Sequence, residues 1–95
     1  MSQDGELFGI TYQKGEVIFS QGEFGDTMFI IQSGAVEISQ SQNLHKNILA
    51  LLEKGDFFGE MALIDRHPRT ATAISISNSR LLPMTRNLFP LLLQE

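Results

Sequence analysis

Glu60 and Arg69 are the two residues whose types and spacing suggest chemistry. They lie nine positions apart in the stretch FGEMALIDRHPRTATA, Phe58–Ala73. Glu60 sits among Phe57, Phe58, Met61, Ala62 and Leu63, and Arg69 precedes a run of small and β-branched residues. Charges rarely enter an apolar setting unless something pairs with them. Arg69 presents a planar fork of donors that matches two phosphate oxygens at once. An ionised Glu60 only accepts hydrogen bonds, which suits a pair of hydroxyls such as those of a ribose. Gly59 permits a sharp turn and close approach of a ligand to the backbone. A helical turn starting near Glu60 would leave the N–H groups of Met61, Ala62 and Leu63 available to an anion. Ala62 and Ala71 are too small to block that backbone, and Thr70 and Thr72 add hydroxyls beside the arginine. Together these groups make a nucleotide clamp. The same residues also support a plainer reading, in which Glu60 compensates a helix dipole and Arg69 is its ion-pair partner. Local chemistry alone favours the plainer reading.

The surrounding elements must position these groups. Gly15, Gly22, Gly25, Gly34, Gly55 and Gly59 each separate short apolar runs. Between them the pattern predicts strands at Val17–Phe19, Met28–Ile31, Ala35–Ser39, Ile48–Leu52, Thr70–Ser77 and Leu81–Thr85. Short strands at nearly regular spacing with glycine turns indicate an all-β sandwich or barrel. Val36 and Ile38 alternate with Glu37 and Ser39, as for a strand with one wet face. Gln40–Asn47 is polar and unpatterned and reads as a hairpin loop. Pro83 pushes its segment toward an edge or a bulge. Glu60–Ile64 reads as a short helical turn. Asn87 is a suitable N-cap for a helix over Leu88–Gln94, with Pro90 tolerated in its first turn. Phe89, Leu92 and Leu93 have the spacing of an apolar helix face.

Composition removes several function classes. A chain of 95 residues with 42% hydrophobic residues suits one small domain. With no cysteine, disulfides and thiolate-bound metals are excluded. Nothing resembles a signal peptide, and no apolar run approaches the roughly 20 residues of a membrane span. The expectation is a soluble, cytoplasmic protein. A net charge of −4 with scattered acids and bases argues against a nucleic-acid surface. His45 and His67 stand 22 positions apart, poor support for the clustered histidines of a metal-dependent cupin-like enzyme. Asp65, His67 and Thr70 suggest no nucleophile, base and orienting group, so no catalytic residue is assigned. His67 reads as a solvated loop residue.

Phe58-Gly59-Glu60-Met61-Ala62-Leu63 followed by Pro68-Arg69-Thr70-Ala71-Thr72-Ala73 resembles the phosphate-binding cassette of the cyclic nucleotide-binding domain family. That family includes bacterial catabolite activator proteins, cyclic-nucleotide-gated channels and the regulatory domains of cAMP- and cGMP-dependent kinases. Gly15-Glu16-Val17-Ile18-Phe19, Gln21-Gly22-Glu23, Gly25-Asp26, Met28-Phe29-Ile30-Ile31 and Ser33-Gly34 resemble its first strands, and Gly55-Asp56-Phe57-Phe58 its approach to the cassette. The resemblance runs from about Lys14 to Phe89. It implies a mainly β, eight-stranded jelly roll with a short cassette helix and a C-terminal helix. Residues 1–95 would form a single domain, one part of a larger protein.

It further implies a ligand-binding set of Gly59, Glu60, Met61, Ala62, Leu63, Arg69, Thr70 and Ala71. Glu60 would accept from the ribose 2′-hydroxyl and Arg69 would pair with the exocyclic phosphate oxygens. The Ala62 and Thr70 region would donate backbone N–H groups. Thr70 resembles a residue associated with cGMP preference in some members, although cAMP binders carry a hydroxyl there too. Met61 and strand residues near Val36 and Leu51 would line the base pocket. The implied ligand is cAMP first and cGMP second, with no metal and no other cofactor. The implied partner is a linked output domain; a dimer is compatible, and direct nucleic-acid contact by this domain is not expected. Binding would move Phe89 and its leucine-rich helix. The alternative is a jelly-roll interaction domain that has lost nucleotide binding. Strict strand alternation puts Arg69 and Thr70 on opposite faces. Both reach one ligand only if the chain twists after Pro68, or if Thr70 acts through its backbone.

Overall fold

Among residues 9–64 and 67–85, which the computed structural model describes, eight strands and one helical turn follow one another along the chain. They are β1 Ile10–Tyr12, β2 Val17–Phe19, β3 Thr27–Ser33, β4 Ala35–Gln42, β5 His45–Glu53, β6 Phe57–Phe58, α1 Met61–Ile64, β7 Thr72–Ser75 and β8 Ser79–Thr85. The strands form two antiparallel four-stranded sheets, ordered β1-β8-β3-β6 and β2-β7-β4-β5. This is the expected jelly roll, with α1 inserted between β6 and β7. The expected helix over Leu88–Gln94, with Asn87, Phe89, Leu92 and Leu93, lies outside the described residues.

Phe29, Ile31, Val36, Phe58, Ala73 and Leu81 fill the space between the sheets. Burying side chains of this kind contributes roughly 1.5–3 kcal/mol for each large one. Phe29 and Phe58 face each other across β3 and β6, with ring centroids 5.4 Å apart. Phe19 of β2 closes the trio at 6.2 Å from Phe29 and 5.9 Å from Phe58. It reaches them because the register between β2 and β7 shifts between Val17 and Phe19. Plain alternation would have left both residues on one face. Instead Phe19 stands opposite fully buried Ala73, while Val17 is exposed opposite Ile74. This one irregularity brings an aromatic ring to the edge of the functional site.

Two expectations are corrected and a third is met in part. Gln40–Asn47 is not a loop: β4 continues to Gln42 and β5 resumes at His45, leaving only Asn43 and Leu44 to turn. Both carry positive φ, 54° and 69°, the conformation of a type I′ hairpin turn. The polar composition hid these strand ends because both faces are wet at the hairpin tip. A fully exposed leucine at positive φ carries a backbone cost of about 1–2 kcal/mol. Leu44→Gly is therefore expected to raise stability by roughly 0.5–1 kcal/mol, less than the full cost because glycine gains freedom when unfolded. Thermal denaturation checks it, and a lowered midpoint would contradict it.

The second correction concerns the expected wet face of β4, where Glu37 and Ser39 are buried. β4 lies inside its sheet, so Leu51 of β5 and Ile74 of β7 flank Glu37, and Lys46 Nζ pairs with its carboxylate at 2.6 Å. Pro83 marks no bulge, but the expected edge is met locally, within a strand that is otherwise interior to its sheet. β8 lies between β1 and β3, and the register shift with β3 falls between Ile31 and Ser33. Proline is accommodated because the described pairing with β1 spans only Ser79–Leu81; at Pro83 the partner is Phe29 of β3 alone.

Candidate functional site

β7 begins at Thr72 rather than Thr70, so residues 69–71 leave the ladder before the sheet starts. Their backbone is held from the β2–β3 turn. The Arg69 N–H donates to the Glu23 carbonyl at 2.7 Å, and the Gly22 N–H donates to the Arg69 carbonyl at 2.8 Å. The Gln21 N–H donates to Thr72 Oγ1 at 2.9 Å, so the Thr72 hydroxyl oxygen helps to hold the fold. Freed from strict alternation, Arg69, Thr70 and Ala71 all line one cavity. Strict alternation therefore does not keep Arg69 and Thr70 from reaching the same cavity.

That cavity has a volume of about 270 Å³, close to the lower end of the range for small-ligand sites, roughly 300–1,000 Å³. Phe19, Ile38, Phe57 and Phe58 supply its apolar walls. Gly59, Glu60, Met61 and Ala62 line it from the start of α1, and His67 and Pro68 complete the side leading to Arg69. Seven of the eight expected site residues therefore meet at one place. Leu63 does not line it: its side chain is 5% exposed and α1 packs on β3. Its N–H donates to the Glu60 carbonyl at 3.0 Å, and the Ala62 N–H donates to the Gly59 carbonyl at 3.2 Å. Two of the three amides expected to face an anion thus already have partners within the turn.

Arg69 and Glu60 are not paired: among the described residues, no ion pair joins them, so the ion-pair part of the plainer reading does not hold. Arg69 Nη2 donates to the Thr27 carbonyl at 2.8 Å, and Nη1 donates to the Gly59 carbonyl at 3.3 Å. Its Cζ lies 4.0 Å from the Phe19 ring centroid, a cation–π contact. The aromatic trio of the core thereby supports the cation from below. Nε is buried without a partner. Burial lowers the guanidinium below its ordinary pKa, while the carboxylates of Asp26 and Glu23 pull the other way. The cation is under-solvated, and two carbonyls engage only part of its five-donor fork.

Two glycines make room for it. Five of the six punctuating glycines have positive φ, but Gly25 does not, so turn geometry does not explain it. A Cβ at Gly25 would come within 2.7 Å of Arg69 Nη2. At Gly59, φ is 81° and a Cβ would meet Arg69 Nη1 at 2.9 Å. Among the described residues, no three His, Asp or Glu side chains cluster as metal ligands would.

Sequence reasoning missed several lining residues. Of the strand residues expected near Val36, Ile38 does line the cavity, whereas Val36 itself is fully buried in the core and Leu51, 64% exposed on β5, is not among the lining residues. His67, expected to be merely solvated, lies at the rim. No local pattern marks His67 or Phe57. Phe19 was concealed by the register shift in β2.

The family model for the cyclic nucleotide-binding domain matches residues 9–95. The chain belongs to the cyclic nucleotide-binding domain family. The domain is 34% identical over 83 residues to the CRP-like cAMP-activated global transcriptional regulator of Mycobacterium tuberculosis, covering 86% of this chain and 37% of the relative. It is 41% identical over 69 residues to cGMP-dependent protein kinase 2 of Homo sapiens, covering 70% of this chain and 9% of the kinase. The cAMP-bound structure of the EAL enzyme Bd1971 superposes with a TM-score of 0.82 at 32% identity, covering 92% of this chain and 24% of that one. The cGMP-bound form of the same enzyme gives 0.83. The chain thus spans well under half the length of these relatives. Among the described residues, no helix is long and apolar enough to cross a membrane.

Proposed function

We propose that this domain binds a cyclic nucleotide, cAMP first and cGMP second, as the sensor of a larger protein. The observation that carries the reading is the partly engaged Arg69 guanidinium, with its buried Nε, beside Glu60 in an apolar-walled cavity. Arg69 takes the exocyclic oxygens of the cyclic phosphate, and Glu60 accepts from the ribose 2′-hydroxyl. At 3.2 Å the Ala62–Gly59 bond is the longer of the two within the turn, and its N–H is the one best placed to share with a phosphate oxygen. Phe57, Met61 and Ile38 supply apolar surface for the base, and Thr70 supplies the hydroxyl that distinguishes one purine from another. The domain carries out no chemistry of its own. Its effect passes to a linked output domain, which the names of the relatives suggest is a transcription-regulating or kinase unit. A ligand shifts such a switch only as far as its affinities for the two states differ.

A thermal shift titration tests the reading. A ligand at about 100 times its Kd adds about 2.7 kcal/mol of stability, which a domain of this size shows as a clear rise in Tm. Such a rise is expected with cAMP or cGMP. An unchanged midpoint with both would favour a jelly roll that has lost nucleotide binding.

A further inference from the structure

Paired residues of β4 and β7 run from Val36–Ser75 to Ser39–Thr72, and there the ladder stops. Backbone carbonyls released from a ladder need other donors. For Thr70 the donor is a side chain: Gln40 Nε2 donates to the Thr70 carbonyl at 2.9 Å. Gln40 directly follows Ser39 on β4, so its amide continues the ladder one step past the last backbone pair. Gln21 braces the same corner, its Oε1 accepting from the Ser41 N–H at 2.9 Å.

Holding this carbonyl has a consequence for the cavity. The peptide unit is planar, so fixing its oxygen fixes the rotation at Thr70. Threonine is β-branched and stiff at χ1, so its hydroxyl direction follows the backbone. Glu60 and Arg69 are assigned to sugar and phosphate, which cAMP and cGMP share. Of the polar side chains lining the cavity, Thr70 and His67 remain for the base, where the two nucleotides differ. A hydroxyl both donates and accepts, so its placement decides which purine edge it serves.

We propose that Gln40 is a positioning residue that, by holding the Thr70 carbonyl, sets the preference of the cavity between adenine and guanine nucleotides. The inference rests on the cyclic nucleotide reading of the site. Gln40 itself does not line the cavity.

Calorimetric titration of cAMP and cGMP into the unaltered domain, Gln40→Met, Thr70→Ala and the double variant tests it. Methionine keeps the length of glutamine and lacks the donor. Gln40→Met is expected to change the ratio of the two dissociation constants by roughly fivefold, the effect of about one hydrogen bond. The change should vanish in the Thr70→Ala background, where the hydroxyl is gone but the anchored carbonyl remains. Gln40→Glu, isosteric and without a donor when ionised, should repeat the result and serves if Gln40→Met does not fold. Equal weakening of both nucleotides, or a ratio change that persists without the Thr70 hydroxyl, would overturn the role of Gln40 alone. Binding of neither nucleotide to the unaltered domain would overturn the cyclic nucleotide reading and this inference with it.

Discussion

Arg69→Ala is expected to weaken cyclic nucleotide binding by well over an order of magnitude while leaving the barrel folded. Removing one partner of a desolvated charged pair typically costs about 2–5 kcal/mol, at tenfold for each 1.4 kcal/mol. Arg69 reaches its site by lying over the Phe19 ring and donating to the Thr27 and Gly59 carbonyls. The two backbone hydrogen bonds that anchor residue 69 to Gly22 and Glu23 do not depend on its side chain and survive the substitution. Arg69→Lys keeps a charge but loses the planar fork, and so cannot bond both carbonyls and the phosphate in the same geometry. It should fall between the two. Calorimetry with cAMP measures affinity and circular dichroism reports the fold. An unchanged dissociation constant in Arg69→Ala would remove Arg69 from the phosphate site.

Phe29→Ala should produce the largest loss of stability. Phe29 is 7% exposed and stacks at 5.4 Å on Phe58, while also touching Phe19. Truncating a buried phenylalanine typically costs about 3–5 kcal/mol, through lost burial and the cavity left behind. Small domains have only about 5–15 kcal/mol in total. At about 4–8 °C per kcal/mol for a domain of this size, Tm should fall by more than about 12 °C. Phe29 does not line the cavity, but it supports Phe19 and Phe58, which do. In the folded fraction, affinity should therefore drop less than in Arg69→Ala. A destabilisation below about 1 kcal/mol would show that the trio is not the centre of the core.

The two substitutions separate what the site owes to its own atoms from what it owes to the barrel beneath. The Phe19 ring belongs to both, packed on Phe29 and Phe58 on one side and carrying Arg69 on the other. Loosening the core would therefore be felt at the cation through a chain of direct contacts.

Much of this was legible in the residues alone. Turns at Gly15, Gly22, Gly34, Gly55 and Gly59 follow from positive φ, a local property that glycine alone meets without strain. The β class and the helical turn after Gly59 follow from type and spacing. Misreadings arose where local pattern is silent. Both faces of the β4–β5 tip are polar, so its strands left no alternation to read. A register shift in β2 turned Phe19 inward against its own periodicity. Glu37 is buried by neighbours on two other strands.

What the sequence determined by itself was which groups were available: a fork of donors at Arg69, an acceptor at Glu60 and a glycine directly before it. Only the tertiary structure decided that the two charges face a cavity rather than each other. The Thr27 and Gly59 carbonyls, the Phe19 ring and the space at Gly25 come from separate stretches of chain, and they hold Arg69 in place. Spacing within one segment carries no information about them, because they meet only when the two sheets close.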